Sequence, residues 1–160
     1  MPTIQAPHLS PLMDIEEDWI DYNGHLNMAY YNVLFDRGCD VFFEQLGLGP
    51  HYIKERNFSF YTAEAHVRYV RELHLGHKVR VAMQLVDFDE KRIHAYSELF
   101  HEDGWLSATC ETMSLHIDMA GPRVAPFPDD VMEKVRKVDA VHRNLPRSEN
   151  IGRTIEIRRK

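Results

Sequence analysis

Residues 19–46 read WIDYNGHLNMAYYNVLFDRGCDVFFEQL, and the folding of this stretch decides how the rest of the chain must be arranged. Asp21 opens a polar turn through Asn23, Gly24, His25 and Asn27. A proline-free helical pattern follows from Met28 to Leu46. Asn27 stands at the N-cap, where its side-chain oxygen can accept one of the free N–H groups of the first turn. A carboxylate therefore lies a few residues upstream of a helix N-terminus, where unpaired amides and the helix dipole favour developing negative charge. That pairing suits attack on a carbonyl. Farther along, Asp36, Asp40 and Glu44 recur every fourth residue and form a polar strip with Asn32 and Arg37. Met28, Tyr30, Tyr31, Leu34, Phe35, Val41, Phe42 and Leu46 cover about half of the circumference, a wider apolar face than a surface helix presents. Such a helix needs a sheet wrapped around it.

The flanking sequence supplies one. Leu9 to Trp19 reads as a first, edge-like strand, weakened by Pro11 and by Glu16, Glu17 and Asp18. Gly47 and Pro50 end the helix, and His51 to Asn57 reads as a helical turn or loop. Phe58 to Leu73 is a long strand in which Tyr61, Ala63, Ala65, Val67 and Tyr69 alternate with Thr62, Glu64, His66 and Arg68. Gly76 marks a turn into a strand with Val79, Val81, Met83 and Leu85 inward. Arg92 to His101 is the next, and Glu102-Asp103-Gly104 signals a hairpin into Trp105 to Asp118. Pro128 fits the N1 position of a last helix. The expected layout is α+β, with a long helix inserted early and wrapped by about five antiparallel strands. One domain over residues 1–140 and a C-terminal tail over 141–160 are expected.

Composition narrows the function classes. A net charge of −6 argues against nucleic acid as the main partner. No apolar run reaches the ~18 residues of a membrane span. The two cysteines, Cys39 and Cys110, form no CxxC motif, which points to reduced thiols in a cytoplasmic protein. The ten histidines show neither HExxH nor zinc-ligand spacing, so no metal is expected.

The turn Asp21-Tyr22-Asn23-Gly24-His25-Leu26-Asn27 running into Tyr30-Tyr31 resembles the signature of hotdog-fold acyl-CoA thioesterases of the 4-hydroxybenzoyl-CoA thioesterase-like branch. Tyr69 to His77 is similar to the strand and turn that precede a Gly-Asp pair there, and the likeness runs over residues 9–120. It implies hydrolysis of an acyl-CoA by a homodimer or dimer of dimers, with the acyl group in an interface cleft and no cofactor beyond the CoA of the substrate. It assigns Asp21 as nucleophile or general base and the Met28 N–H as the donor to the thioester oxygen. The wording of the motif is also similar to betainyl-CoA thioesterases of carnitine breakdown.

Around that pair, Asn23, Gly24, His25, Asn27, Tyr30 and Tyr31 are candidate substrate-binding residues, with Glu64 and His66 on one strand face as further candidates across a dimer. Gly24 also suits a turn that needs φ above zero. A trimethylammonium group needs an aromatic or acidic pocket, for which Tyr30, Tyr31, Phe35, Phe60, Tyr61, Trp105 and Glu64 are available. Arg68, Arg71 and Lys78 are candidates to hold coenzyme A. Two other functions fit the same fold: a hydratase or dehydratase using His25 with Asp21, and a non-catalytic acyl-CoA-binding protein.

Overall fold

The computed structural model describes residues 3–160. After the short strands β1 (His8–Leu9) and β2 (Met13–Asp14) comes a single 3₁₀ turn, Glu17–Trp19. The central helix α1 runs Met28–Gln45, and Gly47, at φ 81°, takes the left-handed position that ends it. Helix α2 (Pro50–Arg56) follows. The long strands are β3 (Phe58–Tyr69), β4 (Lys78–Phe88), β5 (Arg92–His101) and β6 (Leu106–Asp118), after which come β7 (Arg123–Val124) and helix α3 (Asp129–His142).

The sheet is antiparallel, in the order β1-β4-β5-β6-β3, with β2 also on β4 and β7 on β6. Only β4, β5 and β6 form the expected meander. Strand β3 instead crosses to β6, from Phe58 opposite Asp118 to Tyr69 opposite Ala108. The segment from Val70 to His77 is too long for a tight hairpin and is held at the start of α1, so β3 closes on the far side of the sheet. The first strand also differs from expectation. Pro11 lacks an N–H and divides Leu9–Trp19, leaving two short pairings with β4. Pro128 is the N-cap of α3 rather than its N1 residue.

The alternation of β3 changes phase at a bulge between Thr62 and Glu64. Phe60 and Thr62 face α1 before it, and Ala65 and Val67 after it. Tyr61 is thereby turned outward, where its hydroxyl donates to the Met119 sulfur at 3.2 Å.

Helix α1 buries Tyr31, Leu34, Phe35, Gly38 and Phe42 against the sheet, while Met28 and Val41 stay exposed. The approach to β4 depends on Gly38. A Cβ placed there would lie 2.6 Å from the Val81 Cβ, inside any allowed contact. Val79, Val81, Met83 and Leu85 face inward as their alternation requires. Helix α3 packs Val131, Val135 and Val138 beside the end of α1, and its His142 ring stacks on Phe42 at 6.1 Å.

Beyond α3 the chain turns onto the outer face of the sheet. Ser148 and Asn150 donate to the Tyr96 hydroxyl at 3.2 and 3.3 Å, Arg68 donates to the Asn150 side-chain oxygen, and the Gly152 N–H donates to Glu111 at 2.8 Å. Residues 148–152 therefore dock on the domain that carries them.

Candidate active site

The turn before α1 is cross-tied. The Asp21 N–H donates to the His25 carbonyl at 3.1 Å and the Gly24 N–H to the Asp21 carbonyl at 2.9 Å, with Gly24 at φ 79°. The Asp21 carboxylate receives the Asn23 N–H on one oxygen at 2.8 Å and the Asn27 side-chain amide on the other at 3.3 Å. The Asn27 side-chain oxygen accepts the Ala29 N–H at 2.9 Å. One residue thus caps the helix and holds the carboxylate at its mouth. The first N–H of the helix, on Met28, has no partner among the described residues. An acceptor-only carboxylate and a free amide donor consequently stand at the same helix end.

Val70 to His77 braces this turn from the outside. The Leu26 N–H donates to the Leu73 carbonyl at 2.8 Å, and the His74 ring meets the Gly24 carbonyl at 3.2 Å. Glu72 contacts His74 at 3.1 Å and His25 at 3.7 Å, while the His25 Nδ1–H donates to the Leu26 carbonyl at 3.1 Å. The Tyr69 hydroxyl donates to the Met28 carbonyl at 3.1 Å, and its ring meets Tyr31 edge-on at 4.9 Å. A cavity of about 170 Å³ opens among His25, Met28, Tyr31, Tyr69, Arg71 and Glu72. Nothing in the sequence links Glu72, Leu73 and His74 to the Asp21 turn, because that contact spans 50 residues.

The other candidates go elsewhere. Tyr30 stacks on Trp19 at 5.6 Å. Glu64 and His66 share the outward face of β3 with Arg68, away from α1. The basic residues proposed for coenzyme A have in-chain partners: Arg68 holds Asn150, Arg71 lies over the Trp105 ring at 4.0 Å, and Lys78 pairs with Asp14 at 2.8 Å. Of the aromatic residues available for an onium pocket, Tyr31 borders the cavity beside His25, whereas Trp105 is stacked on His101 and Phe60 packs against Phe43. Among the described residues no three His, Cys, Asp or Glu side chains group to hold a metal ion, and no helix is long and apolar enough to cross a membrane.

A larger cavity, about 400 Å³, lies between α1 and β3. Asn32, Phe35, Asp36, Cys39 and Phe43 of the helix face Thr62, Ala65 and Thr112 of the sheet across it. Asp21 lines neither cavity. Burial pushes the Cys39 thiol up to about 11 and the Cys110 thiol to about 12, so both line the larger cavity as neutral groups.

A helix laid across an antiparallel sheet, with an acid at its amide-bearing mouth, defines a hotdog-fold protein built for thioester chemistry. Residues 16–135 match the Thioesterase-like superfamily, and the chain belongs to that family. Its enzyme class is accordingly thioesterase, as the resemblance implies. The chain is 36% identical over 139 residues to a betainyl-CoA thioesterase of Pseudomonas aeruginosa, covering 86% of this chain and 87% of that one. It is 34% identical to part of an L-carnitine dehydrogenase/betainyl-CoA thioesterase of Rhizobium meliloti, covering 86% of this chain and 28% of that protein. Among solved structures it superposes on a putative thioesterase from Pseudomonas putida at TM-score 0.83, 31% identity, 97% of this chain and 99% of that one. It also superposes on a Staphylococcus aureus protein in complex with CoA at TM-score 0.88, 26% identity, 98% of this chain and 100% of that one.

Proposed function

We propose that this chain hydrolyses an acyl-CoA to the free acid and coenzyme A, with the Asp21 carboxylate as the acting group and betainyl-CoA as substrate. The observation that carries the reading is the pairing at the mouth of α1: a carboxylate tied to the N-cap residue Asn27, beside the unpartnered Met28 N–H. The Met28 N–H donates to the thioester oxygen as negative charge develops on it, a contact of the kind worth about 3–4 kcal/mol of barrier. Asp21 acts in one of two ways. Either its oxygen attacks the carbonyl carbon, the C–S bond breaks, the thiolate leaves to be protonated, and water then hydrolyses the mixed anhydride; or it takes the proton from a water that attacks directly. Both consume one water and release one acid and one thiol. The names of the relatives, at 34–36% identity, support the betainyl group and a place in carnitine metabolism. The unpaired Cys39 and Cys110 favour a reducing, cytoplasmic setting.

The working unit in this proposal is a homodimer. Strand β3 is twelve residues long, stands at the end of the sheet with one edge unpaired among the described residues, and exposes Tyr61 and Tyr69. An edge of that length is a ready template for a second copy, and the partner's surface would close the open side of the Asp21 turn.

The deciding experiment is thiol release from a panel of acyl-CoAs, with Asp21→Asn run beside the parent. The parent is expected to turn over betainyl-CoA, and the folded variant to lose about 10²–10⁴-fold in kcat. Near-parental turnover by the variant would remove Asp21 from the mechanism.

A further inference from the structure

The cavity between α1 and β3 is walled by neutral side chains with one exception, Asp36. That carboxylate has no ion-pair partner among the described residues. Its chain neighbour Arg37 turns the other way, onto Glu16 at 2.7 Å and over the Trp19 ring at 5.1 Å. Like charges one turn apart destabilise a helix, yet Asp40 and Glu44 extend the same strip and no cation among the described residues pairs with it. Met28, Asn32 and Asp36 fall at every fourth residue and so lie on one flank. At 1.5 Å per residue, Asp36 stands about 12 Å along the axis from Met28, and its side chain leans back toward that end. Asn32 lies between them and borders the same cavity.

We propose that Asp36 selects the acyl group: it attracts a quaternary ammonium seated in this cavity, with the thioester carbonyl at the Met28 N–H. A quaternary ammonium has no N–H to donate, so hydrogen bonds cannot recognise it. Long-range charge and a polarisable wall can. The cavity supplies both, in Asp36 and in Phe35, Phe43 and Met83. The neutral thiols of Cys39 and Cys110 fill the floor without adding charge. This inference rests on the thioesterase reading above and adds the residue that sets its substrate.

The test compares betainyl-CoA with 3,3-dimethylbutyryl-CoA, in which a neutral tert-butyl group replaces the trimethylammonium at nearly the same size. The parent is expected to favour the cation in kcat/KM by at least about tenfold, the order given by two unit charges several ångströms apart in a partly desolvated site. Asp36→Asn should abolish that preference, bringing the two kcat/KM values within about threefold of each other. Asp36→Glu should restore part of it. Asp36 is solvent-facing in the single chain, so these variants should fold. A parent that prefers the neutral analogue, or an Asp36→Asn variant that keeps the cation preference, overturns the proposal and leaves the thioesterase reading intact. No thiol release by the folded parent from any acyl-CoA overturns that reading, and this one with it.

Discussion

Along its β4 flank α1 is pressed onto the sheet, with Gly38 against Val81 and no room for a methyl group between them. Along its β3 flank the same helix stands off and leaves a cavity of about 400 Å³. One helix thus serves two purposes. The closed flank supplies packing that stabilises the domain, and the open flank gives up packing around the cavity proposed above to receive the acyl group. The contrast is testable by placing a valine on each side. Gly38→Val should lower stability by about 3 kcal/mol or more, since overpacking against an immobile strand is joined by a β-branched residue in mid-helix. For a domain of this size that is a fall in Tm of about 6–12 °C. Ala65→Val adds two methyls to the wall of the open cavity instead. Its stability should stay within about 0.5 kcal/mol of the parent while kcat/KM for acyl-CoA falls. Equal loss of stability in both variants would show that the β3 flank is as tightly packed as the other.

The flanks should also respond to pH with opposite signs. His142, buried where α3 meets the closed flank, accepts the Leu85 N–H at 3.0 Å on Nδ1, so its Nε2 carries the proton and donates to the Gln5 carbonyl at 2.7 Å. Burial lowers its pKa from 6.5 despite the Gln5 carbonyl and Asp139, which pull the other way. A histidine whose folded pKa lies below its unfolded value is stabilising as the neutral form above 6.5, and that contribution is lost as pH falls toward the folded value. Tm should therefore drop on acidification below 6.5. In His142→Ala it should start lower, by the equivalent of about 1–3 kcal/mol for an unsatisfied Leu85 amide, and depend less steeply on pH. His8, His77 and His116, shifted in the same direction by burial, retain part of the slope. A His142→Ala slope as steep as the parent's would assign the acid sensitivity to those three alone.

What could be read from the sequence was local. Asn27 as N-cap, Asp21 beside it, the end of α1 at Gly47 and the Glu102-Asp103-Gly104 hairpin each depend on residues within a few positions of one another. The long-range facts were not legible. Whether β3 pairs with β4 or β6 is decided by the path of Val70 to His77, which only its bond to Leu26 reveals. The bulge at Thr62 flips the faces of β3 although the alternation on either side reads smoothly. The docking site of the tail was not legible because its partners, Tyr96, Arg68 and Glu111, lie 41 to 82 positions away. Asp36 did carry a signal, three acids at helical spacing, but its meaning needed the cavity beside it and the turn of Arg37 onto Glu16.

The smallest expected effect is also the sharpest contrast between the flanks. Asp40 lies one turn beyond Asp36 on the open side, and its carboxyl pKa is raised from 3.8 by burial first and then by Asp36 and Glu44. A carboxyl whose folded pKa exceeds its unfolded value favours folding below 3.8, and that contribution disappears as pH rises through the folded value. At neutral pH the ionised Asp40 is therefore a liability. Asp40→Asn should stabilise the protein at pH 7 by a few tenths of a kcal/mol, as for relief of a like-charge pair one helical turn apart. The gain should shrink in high salt and vanish below pH 3.8. Removing a charge from the open flank would then strengthen the fold, whereas adding a side chain at Gly38 weakens it. Loss of stability in Asp40→Asn at pH 7 would mean that this carboxylate makes a favourable contact, and that the open flank is not the electrostatically strained one.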